Sequence, residues 1–201
     1  VTVGILLLAA GRSVRFGSDK RLALLPNGQT VLEATLENIQ ASNLPALVCL
    51  ANGEDAAAEM CDRMCVNFVV CENANLGMGH TLAEGIVHIS GWQGVLVALA
   101  DMPFVRPATY NLLGSSLFSG AICRPQCDGR AGHPVAFSAN YFGELTEHVG
   151  EVGARELLSK YAAKVSVIEC TDPGILRDID RPSDLSLASK GARIIDTLAY
   201  M

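Results

Sequence analysis

Short apolar runs rich in Val, Ile and Leu alternate with segments whose apolar positions recur every three or four residues. This alternation predicts strands of a largely parallel sheet joined by amphipathic helices. The clearest strands are Val3 to Leu8, Ala46 to Leu50, Val66 to Cys71 and Val95 to Ala100. Thr30 and Glu33 have capping-box spacing ahead of a helix reaching about Ala41; a second helix covers Glu54 to Arg63, and a third runs from near His80 to Ile89. Right-handed crossovers would place a ligand beyond the carboxyl ends of these strands. The loops to read for chemistry are therefore 9–21, 72–80 and 101–107.

After residue 107 the pattern is less regular. It predicts a helix over Ala108 to Leu117, a strand over Ala121 to Arg124, a polar turn at 125–132 and a strand over Pro134 to Phe137. This suggests a mixed sheet with an inserted hairpin-like lobe. Helices are expected over Ala139 to His148 and Gly153 to Tyr161, strands over Val165 to Glu169 and Leu176 to Ile179, and a closing helix from Ser183. With no internal repeat or Pro/Ser-rich linker, the 201 residues read as one domain.

Composition narrows the class of partner. A net charge of −6 opposes duplex nucleic acid and anionic lipid, and 5% aromatic residues leave little surface for stacking single strands. Neither a nucleic-acid nor a membrane partner is expected. The run Gly4 to Ala10 has no basic stretch before it and is too short to span a bilayer, so it reads as a buried strand of a cytoplasmic protein. The 7 cysteines lack C-x-x-C spacing and read as reduced, mostly buried thiols. Two pairs lie four residues apart, Cys61 with Cys65 and Cys123 with Cys127. Neither makes a convincing metal site, since no histidine is near the first and Pro125 interrupts the second.

The strongest chemical signal follows the first strand: Leu8-Ala9-Ala10-Gly11-Arg12-Ser13-Val14-Arg15-Phe16-Gly17-Ser18-Asp19-Lys20-Arg21. Four of the 15 basic residues, Arg12, Arg15, Lys20 and Arg21, crowd into this stretch of an acidic chain. At a strand end, that concentration marks an anion site. Small residues at 9–11 let backbone amides approach phosphate, and Arg15 and Lys20 supply charge. Walker A fails because Ser18-Asp19 follow Gly17, and the dinucleotide fingerprint fails because Leu82 stands where Gly77-Met78-Gly79-His80-Thr81 would need a third glycine.

Residues Leu8 to Lys20 do match, without a gap, the A-A-G-x-x-x-R-[MF]-G-x-x-K pattern of the nucleotidyltransferases. The chain resembles the MobA/MocA-like branch, which contains the molybdenum cofactor cytidylyl- and guanylyltransferases. Further matches in order are Gly77-Met78-Gly79, Ala100-Asp101-Met102-Pro103, Gly132-His133-Pro134-Val135, Gly153-Ala154-Arg155 and Asp178-Ile179-Asp180-Arg181-Pro182. The resemblance implies an α/β, three-layer Rossmann-like nucleotidyltransferase fold with a mostly parallel, mixed central sheet. It divides the domain into a nucleotide-binding part over about 1–107, an acceptor-binding part over about 108–182 and a closing helix over about 183–198.

It also implies roles. An acceptor phosphate attacks the α-phosphorus of a nucleoside triphosphate, with Arg15, Lys20 and Asp101 as catalytic residues. Leu8, Ala9, Ala10, Gly11, Arg12, Ser13, Asn75, Gly77, Gly79 and His80 would contact the nucleotide. Gly132, His133, Pro134 and Arg155 would contact the acceptor. Asp101 ends an apolar strand run at the ligand edge, where a carboxylate with a triphosphate suits Mg²⁺. The second carboxylate comes from Asp180 in preference to Asp178, while Asp184 reads as a first-turn helix acid.

Ala9-Ala10-Gly11 is the cytidylyl form of the first motif, the guanylyl form carrying two glycines; Leu8 departs from the threonine common in cytidylyl members. The expected reaction is CMP transfer from CTP to molybdopterin or molybdenum cofactor, the product passing to a molybdoenzyme or its chaperone. Guanylyl transfer, another phosphorylated acceptor, and a non-catalytic molybdoenzyme accessory protein are the alternatives. A nicotinamide or flavin oxidoreductase is disfavoured by the failed fingerprint.

Overall fold

A computed structural model describes residues 2–11, 16–89, 91–147 and 154–185. Its first half comprises β1 (Val3–Leu8), α1 (Val31–Ala41), β2 (Ala46–Ala51), α2 (Asp55–Arg63), β3 (Phe68–Cys71), α3 (Met78–Val87) and β4 (Gly94–Leu99). Strand β1 pairs in parallel with β2 on one side and β4 on the other, and β2 pairs in parallel with β3. The chain thus winds outward from β1 in one direction, then returns to β4 on the other side. The reversal opens a crevice at the carboxyl ends of β1 and β4.

β1 is buried along its whole length, as expected of a strand covered on both faces. Ile5 and Leu7 pack with Leu32, Leu36 and Ile39 of α1 and with Met60 of α2. Leu6 and Leu8 face the other way, against Leu82 and Ile86 of α3. This alternation fixes three layers. The capping box of α1 forms as predicted: Glu33 N–H donates to Thr30 Oγ1 at 3.1 Å and Thr30 N–H to Glu33 Oε2 at 2.9 Å.

The second half adds α4 (Pro107–Ser116), β5 (Ile122–Cys127), β6 (Arg130–Ala131), β7 (Val135–Ser138), α5 (Phe142–Glu147), α6 (Arg155–Lys160) and β8 (Val165–Glu169). Strand β7 is antiparallel to β4 and β5, whereas β8 is parallel to β5. The sheet is therefore mixed but mostly parallel.

Two expectations change. The polar turn at 125–132 is largely strand, because β5 continues through Pro125 and the reversal occurs at Asp128 and Gly129, both at positive φ. Pro125 has no N–H, but its carbonyl accepts from Gly132 N–H at 2.9 Å. The strand expected over Leu176 to Ile179 is instead a short 3₁₀ turn, Pro173–Leu176, followed by irregular chain. Ile175 and Ile179 are apolar because they are buried outside the sheet, Ile179 against Leu25 and against Val31 and Ala34 of α1. Of the closing helix, residues 182–185 are helical and the remainder lies outside the described residues. Among the described residues, no helix is long and apolar enough to cross a membrane.

Candidate active site

A cavity of about 310 Å³ opens in the crevice. Its floor is Leu8 to Gly11 and Leu99 to Asp101, and its far wall is Ala74, Asn75, Gly77 and Met78 with Thr81 of α3. Small side chains at Ala9 and Ala10 keep the floor low. A Cβ on Gly11 would meet no atom within 4 Å, so its absence leaves open space at the end of the strand. Gly77 holds φ 127°, a backbone state that L side chains rarely adopt, as the chain turns into α3.

Lys20 and Asp101 form the polar corner of the cavity, and Asp180 lies against Lys20 beside it. Asp19 caps the short turn Lys20–Leu22 by accepting from Arg21 N–H at 3.1 Å, which aims Lys20 inward. Lys20 Nζ lies 2.5 Å from Asp101 Oδ2 and 3.2 Å from Asp180 Oδ1. Asp180 is brought there because Ile179 N–H donates to the Asp101 carbonyl at 2.8 Å. Asp184 accepts from the backbone N–H groups of Asp180 at 3.0 Å and Arg181 at 2.7 Å, which fixes the following turn.

Burial pulls the Lys20 ammonium toward deprotonation, but Asp101 and Asp180 outweigh it and leave Lys20 more basic than usual. For Asp101, burial outweighs the attraction of Lys20 and, with repulsion from Asp178, makes the carboxyl harder to ionise than usual. Asp101 Oδ1 is buried without a hydrogen-bond partner. An uncompensated carboxylate oxygen beside a cavity suits a hard divalent cation. Among the described residues no three His, Cys, Asp or Glu side chains gather as a metal group. Asp101 and Asp180 therefore fit a cation held mainly by ligand oxygens, the usual arrangement for Mg²⁺ with phosphates.

Arg21, counted by sequence among the loop cations, is committed internally. It is 6% exposed, donates to the Ala9 carbonyl, and pairs with Asp19 at 2.7 Å and Glu54 at 2.6 Å. Its charge supports the loop beneath the cavity. Arg12, Ser13 and Arg15 lie outside the described residues. Asn75 and Gly77 line the cavity, whereas Gly79 and His80 sit in the first turn of α3 off its wall. Met78 and Thr81, which sequence reasoning did not single out, line it instead. The α-helical period from Met78 could have identified Thr81, one turn further on.

His133 begins the approach to β7, its N–H donating to the Ile175 carbonyl at 3.0 Å. Gly132 is required there, since a Cβ would overlap the same carbonyl. His133 Nδ1 is buried and unpartnered, and burial, reinforced by Arg124, holds the imidazole below its ordinary pKa. Pro134 is buried beside it, while Arg155 is exposed at the start of α6, without a side-chain hydrogen bond or ion pair among the described residues.

Asp172 was also missed by sequence reasoning. Only 3% exposed, it accepts from Arg106 N–H at 2.8 Å, Thr109 Oγ1 at 2.6 Å and Gly174 N–H at 2.9 Å. It thereby ties the segment carrying Asp178 and Asp180 to the loop after β4. The Asp-Pro-Gly turn at 172–174 was the available signal.

A switch-point cavity with a lysine–carboxylate corner, beyond the carboxyl ends of β1 and β4, defines a Rossmann-like ligand-binding domain. Residues 5–165 match the MobA-like NTP transferase domain, and the chain belongs to that family. It is 28% identical to the purine catabolism protein PucB of Bacillus subtilis over 91% of this chain and 94% of that one. It is also 28% identical to nicotine blue oxidoreductase of Paenarthrobacter nicotinovorans, over 87% and 90%. Among solved structures, Rv0371c of Mycobacterium tuberculosis superposes with TM-score 0.82 at 25% identity, covering 94% of this chain and 98% of that one. Rv0371c has also been solved in complex with manganese. Molybdopterin-guanine dinucleotide biosynthesis protein A of Archaeoglobus fulgidus shares the fold with TM-score 0.69 at 20% identity, over 94% and 98%.

Proposed function

We propose that the protein is a Mg²⁺-dependent cytidylyltransferase that moves CMP from CTP to molybdopterin or molybdenum cofactor and releases pyrophosphate. The observation that carries the transfer chemistry is the corner itself: Lys20 between Asp101 and Asp180, with Asp101 Oδ1 buried and unpartnered beside the cavity. The family and the names of its relatives support molybdopterin as the acceptor. CTP follows from Ala10, whose methyl group stands where guanylyl members have glycine.

An acceptor phosphate is already anionic at neutral pH, so its attack on the α-phosphorus needs no general base. The new P–O bond forms as the bond to the β-phosphate breaks, and pyrophosphate leaves with the electron pair. Catalysis is then alignment and neutralisation of charge. Lys20 supplies a fixed positive charge at the floor of the cavity, and the small side chains of 9–11 admit phosphate close to backbone N–H groups. Asp101 and Asp180 would hold Mg²⁺, which when bound neutralises charge on the triphosphate. The backbone at Asn75 and Gly77 borders the space for base and ribose.

Nicotine blue oxidoreductase is named for redox chemistry, but the dinucleotide fingerprint ends at Leu82 in this chain, which favours transfer. The test is pyrophosphate release with CTP, GTP, ATP and UTP in turn, each with Mg²⁺, with and without molybdenum cofactor. Acceptor-dependent release with CTP is expected. Release with GTP alone would refute the base assignment, and bound nucleotide without release would refute the acceptor.

A further inference from the structure

Away from the cavity, two thiols stand side by side on neighbouring strands. Gln126 pairs with Glu169 in the parallel register of β5 and β8, and the next residues along are Cys127 and Cys170. Both are held in place: Cys127 pairs with Arg130 of β6, and Cys170 N–H donates to the Gln126 carbonyl at 2.9 Å. Gln126 Nε2 donates to Glu169 Oε1 at 2.6 Å, so those two side chains share one face of the sheet. The side chains of Cys127 and Cys170 therefore share the other. It is the face on which Cys123 of β5 and Ile168 of β8 meet the core that includes α1.

Neighbouring strands lie about 4.8 Å apart, within the Cα separations of about 4.4 to 6.8 Å that a disulfide spans. Cys123 is four residues back along β5, about 13 Å away and out of reach. Cys127 is 4% exposed and Cys170 half-buried, so an oxidant in solution reaches Cys170 first. Burial, with the charges of Asp128, Cys170 and Asp172, raises the Cys127 thiol above its ordinary pKa and keeps it protonated at rest. Its Sγ lies 3.9 Å from Oδ2 of the exposed Asp128, a carboxylate through which the proton can pass to water. Two positions after Cys170, Asp172 fastens the chain to Arg106 and Thr109 beyond β4. The pair thus stands at the root of the segment that carries Asp180.

We infer that Cys127 and Cys170 form a reversible redox dithiol, oxidised to an intramolecular disulfide by small disulfides such as glutathione disulfide. The Cys170 thiolate attacks one sulfur of the oxidant, and the first glutathione thiolate leaves with the S–S electron pair. Cys127, losing its proton, then attacks the Cys170 sulfur and expels the second. The protein gives up two electrons and two protons, and the oxidant becomes two thiols. The bond would tie β5 to the root of that segment whatever nucleotide the cavity takes.

The experiment exposes native wild type, Cys127→Ser and Cys170→Ser to glutathione disulfide, quenches with iodoacetamide in denaturant and maps the cysteines by peptide mass spectrometry. Wild type should yield peptides joined through Cys127 and Cys170, and dithiothreitol should restore both thiols. Cys127→Ser should instead retain glutathione on Cys170, and Cys170→Ser should leave Cys127 a thiol. Phenylarsine oxide, which bridges neighbouring dithiols, should bind reduced wild type across the same two sulfurs and so tests the pair without a variant. Glutathione retained on Cys170 of wild type, both thiols still free after exposure, or no arsenical bridge between them would overturn the inference.

Discussion

Asp101 combines two opposed demands in one carboxylate. It is held 2.5 Å from Lys20, yet its burial makes ionisation harder than in water. Native Asp101 therefore binds a proton more readily than it does in the unfolded chain, and its charge is a cost to folding rather than a support. Asp101→Asn should lower Mg²⁺-dependent turnover about 100-fold or more while leaving the urea midpoint unchanged or raised. Wild-type turnover in that variant would remove Asp101 from the chemistry. Asp101 was legible in the sequence because it closes a strongly apolar strand, and Lys20 because it belongs to the basic loop that follows another. The internal pairing of Arg21 was not legible, because Glu54, its partner, lies in a segment whose pattern says only helix start.

At the scale of elements, the site depends on two irregular segments held to each other. The turn Pro173–Leu176 lies so close to the loop after β4 that a Cβ on Gly174 would overlap the Phe104 carbonyl. Backbone cannot yield there as a flexible side chain could. Gly174→Ala should cost about 3 kcal/mol in urea unfolding and also reduce turnover, because Ile179 and Asp180 follow the displaced turn. An unchanged midpoint would show that the two segments are not packed as described. The four parallel strands and the cap of α1 were readable because their signals are local. The 172–180 segment was not, since Ile175 and Ile179 carry a strand-like apolar spacing while Ile179 packs against Leu25, Val31 and Ala34, distant in sequence.

For the whole molecule, two cores on opposite faces of one sheet fix β1 and β4, and the cavity lies at their carboxyl ends. His133 is packed at this margin of the sheet, and burial lowers its pKa below the usual 6.5. The native protein therefore binds fewer protons at His133 than the unfolded chain does below that value. The sign follows: this contribution to stability is complete above pH 6.5 and is lost as pH falls through the lower native pKa. Asp101 acts in the opposite sense, nearer its own ordinary value of 3.8. Urea unfolding should show wild type losing stability between pH 7 and 5 more steeply than His133→Gln, and parallel curves would refute a neutral buried His133.

The most direct test of nucleotidyl transfer at this corner is to follow label from [α-³²P]CTP onto molybdenum cofactor, comparing wild type with Lys20→Met. Labelled dinucleotide should form with wild type and about 100-fold more slowly with the variant. Equal rates in the two proteins, or bound CTP that never yields labelled product, would contradict the account.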